Sequence, residues 1–318
     1  MVVTHNSERW LARTLDGAAG LDGVATEIVV VDSGSRDGSL AVARGHPGVS
    51  RVIALDANIG FAAGQNIGIR ASTGELVLSL NPDVFLDHRY VGHLAPRLTG
   101  RYGFGTGRLL RADPETGEAI AVIDSTGLFF TRERRHVDRG AGEAADNRYC
   151  EAGDVFGACG AALLARRDAL DDVSPPGRGP FDEAFWSYRE DADLAWRAQV
   201  LGWRCWYEPS ATGAHVRALK PDQHRSTIDP LINMHSVKNR YLLLVKNETW
   251  RGLRPDLWPF LRREALVAAG VVLRERSSGR AYPLLAGALP RALRERRWIA
   301  SRRHLDADTL RRRQMLPA

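Results

Sequence analysis

The sequence predicts an α/β fold: a mixed, mostly parallel sheet flanked by helices, followed by a helical C-terminal extension. Two patterns carry this expectation. Short apolar runs alternate with helix-like stretches through the first half, at the spacing of parallel β-α-β units covered on both faces. From Asp229 onward the pattern is helical to the end, interrupted at Pro283 and Pro290. The length agrees, since 318 residues with 44% apolar content can bury one large core or two modest ones.

Taken in order, Met1–Thr4, Glu27–Asp32, Arg51–Leu55 and Glu75–Leu80 read as buried strands, with helical patterns at about 7–20, 38–44 and 61–71 between them. The first strand is short: either a few residues precede it in the full chain or the strand is truncated. Residues 111–150 are charged and glycine-rich, and they read as an excursion from the sheet. Asp113-Pro114-Glu115-Thr116-Gly117 would form a turn there, and Arg132–Asp138 a solvated run. A proline and glycine break at Ser174–Pro180 follows, then a helix from about Glu190 to Leu201 and a strand at Trp203–Glu208. No internal repeat or low-complexity tract is present. The expected organisation is one half over residues 1–110, a second half of the same domain over 111–220, and a helical basic extension over 221–318.

Composition narrows the function classes. Cys150, Cys159 and Cys205 are odd in number, widely spaced and form no C-x-x-C pair, which excludes a disulfide framework or zinc ribbon and fits a reducing cytoplasm. The longest apolar candidate, Ala265–Leu273, is far too short to cross a bilayer. The net charge of +6 is uneven: residues 251–318 hold 16 arginines against 6 acidic residues, leaving the remainder slightly negative. Such a tail can be a solvated helical face, or it can meet phosphates of nucleic acid or an anionic membrane. No nucleic-acid-binding module is recognisable. The apolar and aromatic residues among the charges (Trp258, Phe260, Leu261, Leu284, Leu285, Trp298) favour a membrane surface, with peripheral attachment from the cytoplasmic side. A long helical C-terminus could also mediate a homo-oligomer.

In a parallel sheet, ligands bind beyond the carboxyl ends of the strands. The loops there are polar: Thr4-His5-Asn6-Ser7, Asp32-Ser33-Gly34-Ser35, Asn58-Ile59-Gly60 and Asn81-Pro82-Asp83. A dinucleotide-binding dehydrogenase would need a glycine-rich turn after the first strand, and Thr4–Trp10 contains no glycine. No G-x-x-x-x-G-K-[ST] loop follows any strand, which excludes a P-loop nucleotidase.

Asp32 ends a buried strand and can accept from a nucleobase N–H or a ribose hydroxyl, or simply brace its turn. Pro82 stops the fourth strand and sets Asp83 in the crevice, where one carboxylate with substrate phosphates can hold Mg²⁺ or Mn²⁺. An ordinary Asx turn is the plainer reading. Glu190, Asp191 and Asp193 open a helix whose dipole favours acids. Asp193 and Arg197 form an i,i+4 pair, which gives Asp193 a structural role. That leaves Glu190 and Asp191, beside Phe185, Trp186 and Tyr188, as candidates to take a proton from an attacking hydroxyl. His215 is a lone histidine whose value depends on its meeting Asp83.

Together, Val2-Val3-Thr4-His5-Asn6-Ser7, the Val30–Ser39 stretch, Asn58–Asn66 leading into Leu80–Val84, and Phe181–Arg197 with His215 resemble glycosyltransferase family 2, within its rhamnosyltransferase-like branch. The resemblance covers about residues 1–240. It implies the nucleotide-sugar-binding fold called GT-A and an inverting transfer from a dTDP-, UDP- or GDP-sugar to a glycan or lipid-linked saccharide. It implies that Thr4, Asn6, Asp32 and Ser33 surround the nucleobase and ribose, and that Asn58, Gly60, Asn66 and Asn81 line the donor pocket. Asp83 and His215 would hold the divalent metal, and Asp191, with Glu190 beside it, would be the base. Many relatives carry Asp-x-Asp where this chain has Asn81-Pro82-Asp83, as the rhamnosyltransferase-like branch commonly does. The rivals are a noncatalytic sugar-nucleotide or glycan-binding module, opposed by the Asp83, Asp191 and His215 set, and a nucleotidyltransferase, whose glycine- and lysine-rich N-terminal loop is missing. A soluble small-molecule acceptor is the alternative to a lipid-linked one.

Overall fold

The computed structural model describes residues 1–217, 229–273 and 276–314. Its first half follows the expected alternation: β1 (Val2–Thr4), α1 (Glu8–Ala19), β2 (Val29–Ser33), α2 (Ser39–Gly45), β3 (Arg51–Leu55), α3 (Phe61–Ala71), β4 (Leu76–Leu80) and the short β5 (Val84–Leu86). β1, β2 and β3 run parallel, and β1 pairs parallel with β4. β2 is buried at all five positions, as an unbroken Val-Val-Val run requires when helices cover both faces. α1 packs through Leu11, Thr14, Leu15 and Ala18, a helical stripe at three- and four-residue intervals.

The second half is richer in strand than the sequence reading expects. After α4 (Tyr90–Leu94) come β6 (Tyr102–Ala112), β7 (Ala119–Ser125), β8 (Leu128–Phe130), β9 (His136–Asp138), β10 (Gly153–Val155), β11 (Ala162–Arg166), α5 (Arg167–Asp172), α6 (Glu190–Val200) and β12 (Arg204–His215). The main sheet has the order β10-β12-β6-β11-β4-β1-β2-β3, with β5 added to β12 and β7 to β6. Its long parallel pair, β6 and β12, changes neighbours halfway. β11 pairs with β6 at residues 104–106 and β7 takes over at 109–112; β10 pairs with β12 at 205–207 and β5 at 213–215. The register shift between Glu208 and Thr212 marks that change.

Three expectations need correction. β12 does not stop near Glu208 but continues through His215. The 111–150 region is only partly an excursion, because β7 rejoins the main sheet while β8 and β9 form a separate pair. Asp113–Gly117 is the expected turn, closed by Gly117 N–H donating to the Asp113 carbonyl at 2.8 Å, but Arg132–Asp138 is not a solvated run. Arg134 is buried and pairs with Glu248 and Asp256.

The C-terminal helices are α7 (Pro230–Asn247), α8 (Trp250–Leu253), α9 (Leu257–Leu273), α10 (Ala281–Ser301) and α11 (Ala307–Gln314). Asp229 caps α7 by accepting from Leu231 N–H at 2.7 Å. Contrary to expectation, neither Pro283 nor Pro290 interrupts the helix: Pro283 lies in the first turn of α10, where no intrahelical N–H is required, and Pro290 sits inside it. α7 and α10 join the larger core through Leu242, Leu243, Ala292 and Ile299, with Leu285 and Trp298 packed inward. Trp258, Leu261 and Leu284 remain exposed. Cys150 is an exposed free thiol, and Cys159 and Cys205 are buried free thiols. Among the described residues, no helix is long and apolar enough to cross a membrane.

Candidate active site

The strand exchange at β12 builds the centre of the site. β5 pairs with β12 so that Val84 faces His215, and Val216 N–H donates to the Asp83 carbonyl at 3.0 Å. Pro82 ends β4 just before this, and its carbonyl accepts from Thr14 Oγ1 at 2.8 Å, which fixes the turn. The result brings Asp83 Oδ1 to 3.5 Å from His215 Nε2. That Asp83 oxygen is buried and has no hydrogen-bond partner.

Behind the imidazole stands a carboxylate that the sequence reading missed. Asp124, fully buried on β7, accepts from His215 Nδ1 at 2.8 Å and fixes which ring nitrogen turns toward Asp83. Arg217 reaches the same carboxylate through Nε at 2.7 Å and contacts Asp138 at 2.9 Å. Burial works against a charge on His215, but Asp124 and Asp83 outweigh it and raise the imidazole to about 9. His215 is therefore protonated in the free chain at neutral pH, and a cation shared with Asp83 would displace that proton.

A cavity of about 380 Å³ opens in front of this pair, lined by Asn81, Asp83, His136, Asp138, Tyr188, Glu190, Asp191, His215 and Arg217, with Ile232, Asn233 and Ser236 contributed by α7. Glu190 and Asp191 form the first turn of α6. Asp191 Oδ2 accepts from Gly160 N–H at 2.9 Å, which aims the carboxylate from the end of the loop before β11. Burial lifts Asp191 above the ordinary carboxylate value, with Gly160 opposing the shift. Glu190, also buried, is pushed well above it, first by burial and then by the Asp191 charge, and its Oε2 has no hydrogen-bond partner. Two adjacent carboxyls, one buried and one half-buried, hold one negative charge far more readily than two.

The segment feeding α6 is strained. Trp186, Tyr188 and Arg189 all have positive φ, at 66°, 70° and 72°. Asn239 of α7 holds them: its side-chain amide donates to the carbonyls of Phe185, Ser187 and Tyr188 at 2.7 to 2.9 Å. Trp186 in turn covers Gly60, whose φ is 85° and where a Cβ would lie 2.5 Å from the indole.

The remaining predicted residues divide into two groups. Thr4 and Asp32 are paired neighbours at the carboxyl ends of β1 and β2, and Thr4 Oγ1 and Asp32 Oδ2 are both buried without partners. The other Asp32 oxygen braces the turn by accepting from Ser35 N–H at 3.1 Å. Ser33 Oγ donates to Asn58 Oδ1 at 3.3 Å, which also accepts from Gly60 N–H at 2.9 Å, so the second and third loops are locked together. Asn6 locks the first to the second by accepting from Arg36 N–H at 2.8 Å. Asn66 differs from the expectation that it lines the donor pocket. It is buried, and its amide is used internally with both ends of Phe181 and with Glu183. Asp193 has the structural role expected of it: it meets Arg197 at 3.1 Å, and also Lys246 at 2.8 Å.

The chain is similar to several known proteins. A 26% identical relative, the N-acetylglucosaminyl-diphospho-decaprenol L-rhamnosyltransferase of Mycobacterium tuberculosis, aligns over 90% of this chain and 97% of its own. The succinoglycan biosynthesis protein ExoO of Rhizobium meliloti is 36% identical over 84 residues, so the match spans only 24% of that relative and 26% of this chain. Among solved structures, S. aureus TarS 1-349 in complex with UDP-GlcNAc superposes with a TM-score of 0.56 at 16% identity, covering 98% of this chain and 89% of that one. GalNAc-T7 with UDP, GalNAc and Mn²⁺ superposes with a TM-score of 0.59 at 14% identity, covering 77% and 47%. These likenesses show the GT-A-like fold. The model of glycosyl transferase family 2 matches residues 1–174, more than half of the chain, and the chain belongs to that family.

Proposed function

We propose that this glycosyltransferase works with inversion, moving a sugar from a nucleoside diphosphate onto a hydroxyl of a glycan or lipid-linked saccharide, at the cytoplasmic face of a membrane. The observation that carries the reading is the convergence on one cavity of the Asp83–His215 pair with the Glu190–Asp191 pair. Residues 1–110 serve as the donor half and 111–220 as the acceptor and catalytic half. The nucleotide is a UDP, dTDP or GDP carrier. Rhamnose is the favoured sugar, supported by the relative that matches nearly the whole chain.

The residues present fit a divalent cation. Asp83 offers a buried carboxylate oxygen with no hydrogen-bond partner, and His215 Nε2 points at it. No group of three or more potential ligands occurs among the described residues, so the protein supplies part of a shell and substrate phosphates supply the rest, the usual solution for Mg²⁺ or Mn²⁺. When bound, such an ion would absorb the negative charge that develops on the departing nucleoside diphosphate.

The chain's own groups do the remainder. Thr4 Oγ1 and Asp32 Oδ2 receive the N–H or O–H groups of the nucleoside, which would otherwise leave both oxygens unsatisfied. Asp191 takes the proton from the acceptor hydroxyl as its oxygen bonds to the anomeric carbon and the bond to the diphosphate oxygen breaks on the opposite face. One displacement inverts the centre, with no covalent enzyme intermediate. Glu190, whose burial favours its protonated form, supplies a hydrogen-bond donor beside it in that form.

Asp191→Asn removes the base and keeps the shape. Transfer should fall by roughly 10²- to 10⁴-fold, with nucleotide affinity measured by calorimetry unchanged. Full transfer activity in this variant would overturn the assignment.

A further inference from the structure

We propose that the outward face of α9, with the arginines around it, docks this protein onto the surface of an anionic lipid bilayer; the proposal deepens, and rests on, the lipid-linked acceptor reading above. α9 is 17 residues long and buries only Val271 among its described residues. Trp258, Leu261, Leu266, Val272 and Leu273 recur on one side of it and all are exposed, Trp258 by 77% and Leu273 by 76%. An apolar stripe of this length on a soluble surface marks a contact with something else.

The charges around the stripe say what that something is. Arg251 and Arg254 just before α9, Arg262 on it and Arg280 just before α10 are exposed. Every described acid between Trp250 and Ser301 is engaged internally: Asp256 with Arg132, Arg134 and Arg311, Glu264 with Arg240, and Glu295 with Lys246 and Arg291. Among the described residues of this stretch, the outward charge is therefore of one sign. Apolar and aromatic side chains interleaved with exposed arginines match the acyl boundary and the phosphates of an anionic bilayer. A second copy of the chain would bring arginine against arginine. No helix among the described residues can span the bilayer, so the attachment is interfacial.

The placement suits an acceptor carried by lipid. Val271 of α9 and Ala281 of α10 pack against Val237 of α7, the helix whose Asn233 and Ser236 line the cavity. The docking face is thus one helix layer from the cavity wall.

The test is sedimentation of the full chain with vesicles of phosphatidylcholine alone and with added phosphatidylglycerol. Binding should require the anionic lipid and weaken with salt. Arg251→Ala, Arg254→Ala and Arg262→Ala should each reduce partitioning roughly fivefold, the equivalent of about 1 kcal/mol per basic residue near such a surface. Trp258→Glu with Leu266→Glu should abolish it. These residues are exposed and none of them lines the cavity, so thermal melting, nucleotide affinity and transfer to a water-soluble acceptor should stay unchanged. Equal binding by all variants, no binding to anionic vesicles, or light scattering that shows a dimer broken by Trp258→Glu would overturn the proposal. Failure of nucleotide binding in a chain that still sediments with anionic vesicles would instead sink the transferase reading and leave the docking surface standing.

Discussion

Asn239 shows how much a single side chain can decide. Non-glycine residues with positive φ cost on the order of 1 kcal/mol or more each, and three of them precede α6. They persist because one amide from α7 shares its two N–H hydrogens among three carbonyls, of which, among the described residues, only that of Phe185 also accepts from a backbone donor, Ser187 N–H at 2.8 Å. Asn239→Ala should lower the unfolding free energy by about 1–3 kcal/mol, and the acceptor KM should rise while nucleotide affinity in calorimetry is kept. An unchanged KM would contradict the role assigned to the clamp. At Asp191, burial has a kinetic sign. The base acts only when ionised and its folded value is raised, so the acid limb of kcat/KM should lie above the ordinary carboxylate value of about 4 and activity should climb as pH rises through it. The same shift means that the folded chain binds more protons than the unfolded one across that window, so this group's contribution to stability declines as pH rises. A limb at the ordinary value would show that Asp191 is not the base. Asp83, Asp191 and His215 were legible because each stands at a strand end or helix start in a recognisable motif. Asp124, Asp138 and Arg217 were not, since their convergence depends on register between segments roughly 80 to 90 residues apart. Asn66 misled because a polar residue next to a binding loop looks the same in sequence whether it faces a ligand or a backbone.

At the scale of elements, the strands of the parallel half were readable as apolar runs bounded by polar turns. β6 was missed. Tyr102-Gly103-Phe104-Gly105-Thr106-Gly107 places glycine at every second position, which breaks the apolar run that would otherwise announce a strand. Those glycines have a packing reason: a Cβ at Gly103 would meet Ala169 and Trp203, and one at Gly107 would meet Tyr90 and the Ala211 backbone. The helical extension likewise conceals its attachment. Lys246 of α7 is fully buried and reaches Asp182, Asp193 and Glu295 at 2.6, 2.8 and 3.0 Å. This tie joins the segment before α6, α6 itself and α10 through one ammonium group. Lys246→Met would leave three carboxyls with Arg197 and Arg291 beside them but without the ammonium group they share. It should cost roughly 3–5 kcal/mol, read as a lower urea midpoint; a loss below 1 kcal/mol would show that the network contributes only as an exposed pair does.

For the whole molecule, the alternation of strands and helices predicted the parallel half of the sheet and its ligand-bearing edge. The mixed half, where β6 and β12 exchange neighbours, depends on pairings that no local pattern encodes. That exchange lets β12 run on beside β6 to His215, where β5 joins it and sets the imidazole against Asp83; the central proposal is a donor site completed by those two residues. The measurement that tests it most directly is calorimetric titration of the protein with UDP, dTDP and GDP, each with Mn²⁺ and with EDTA, repeated on Asp83→Ala. The account predicts that one nucleotide binds with Mn²⁺, that EDTA abolishes this binding, and that Asp83→Ala does the same; binding of that nucleotide with equal affinity in EDTA or in the variant would contradict it.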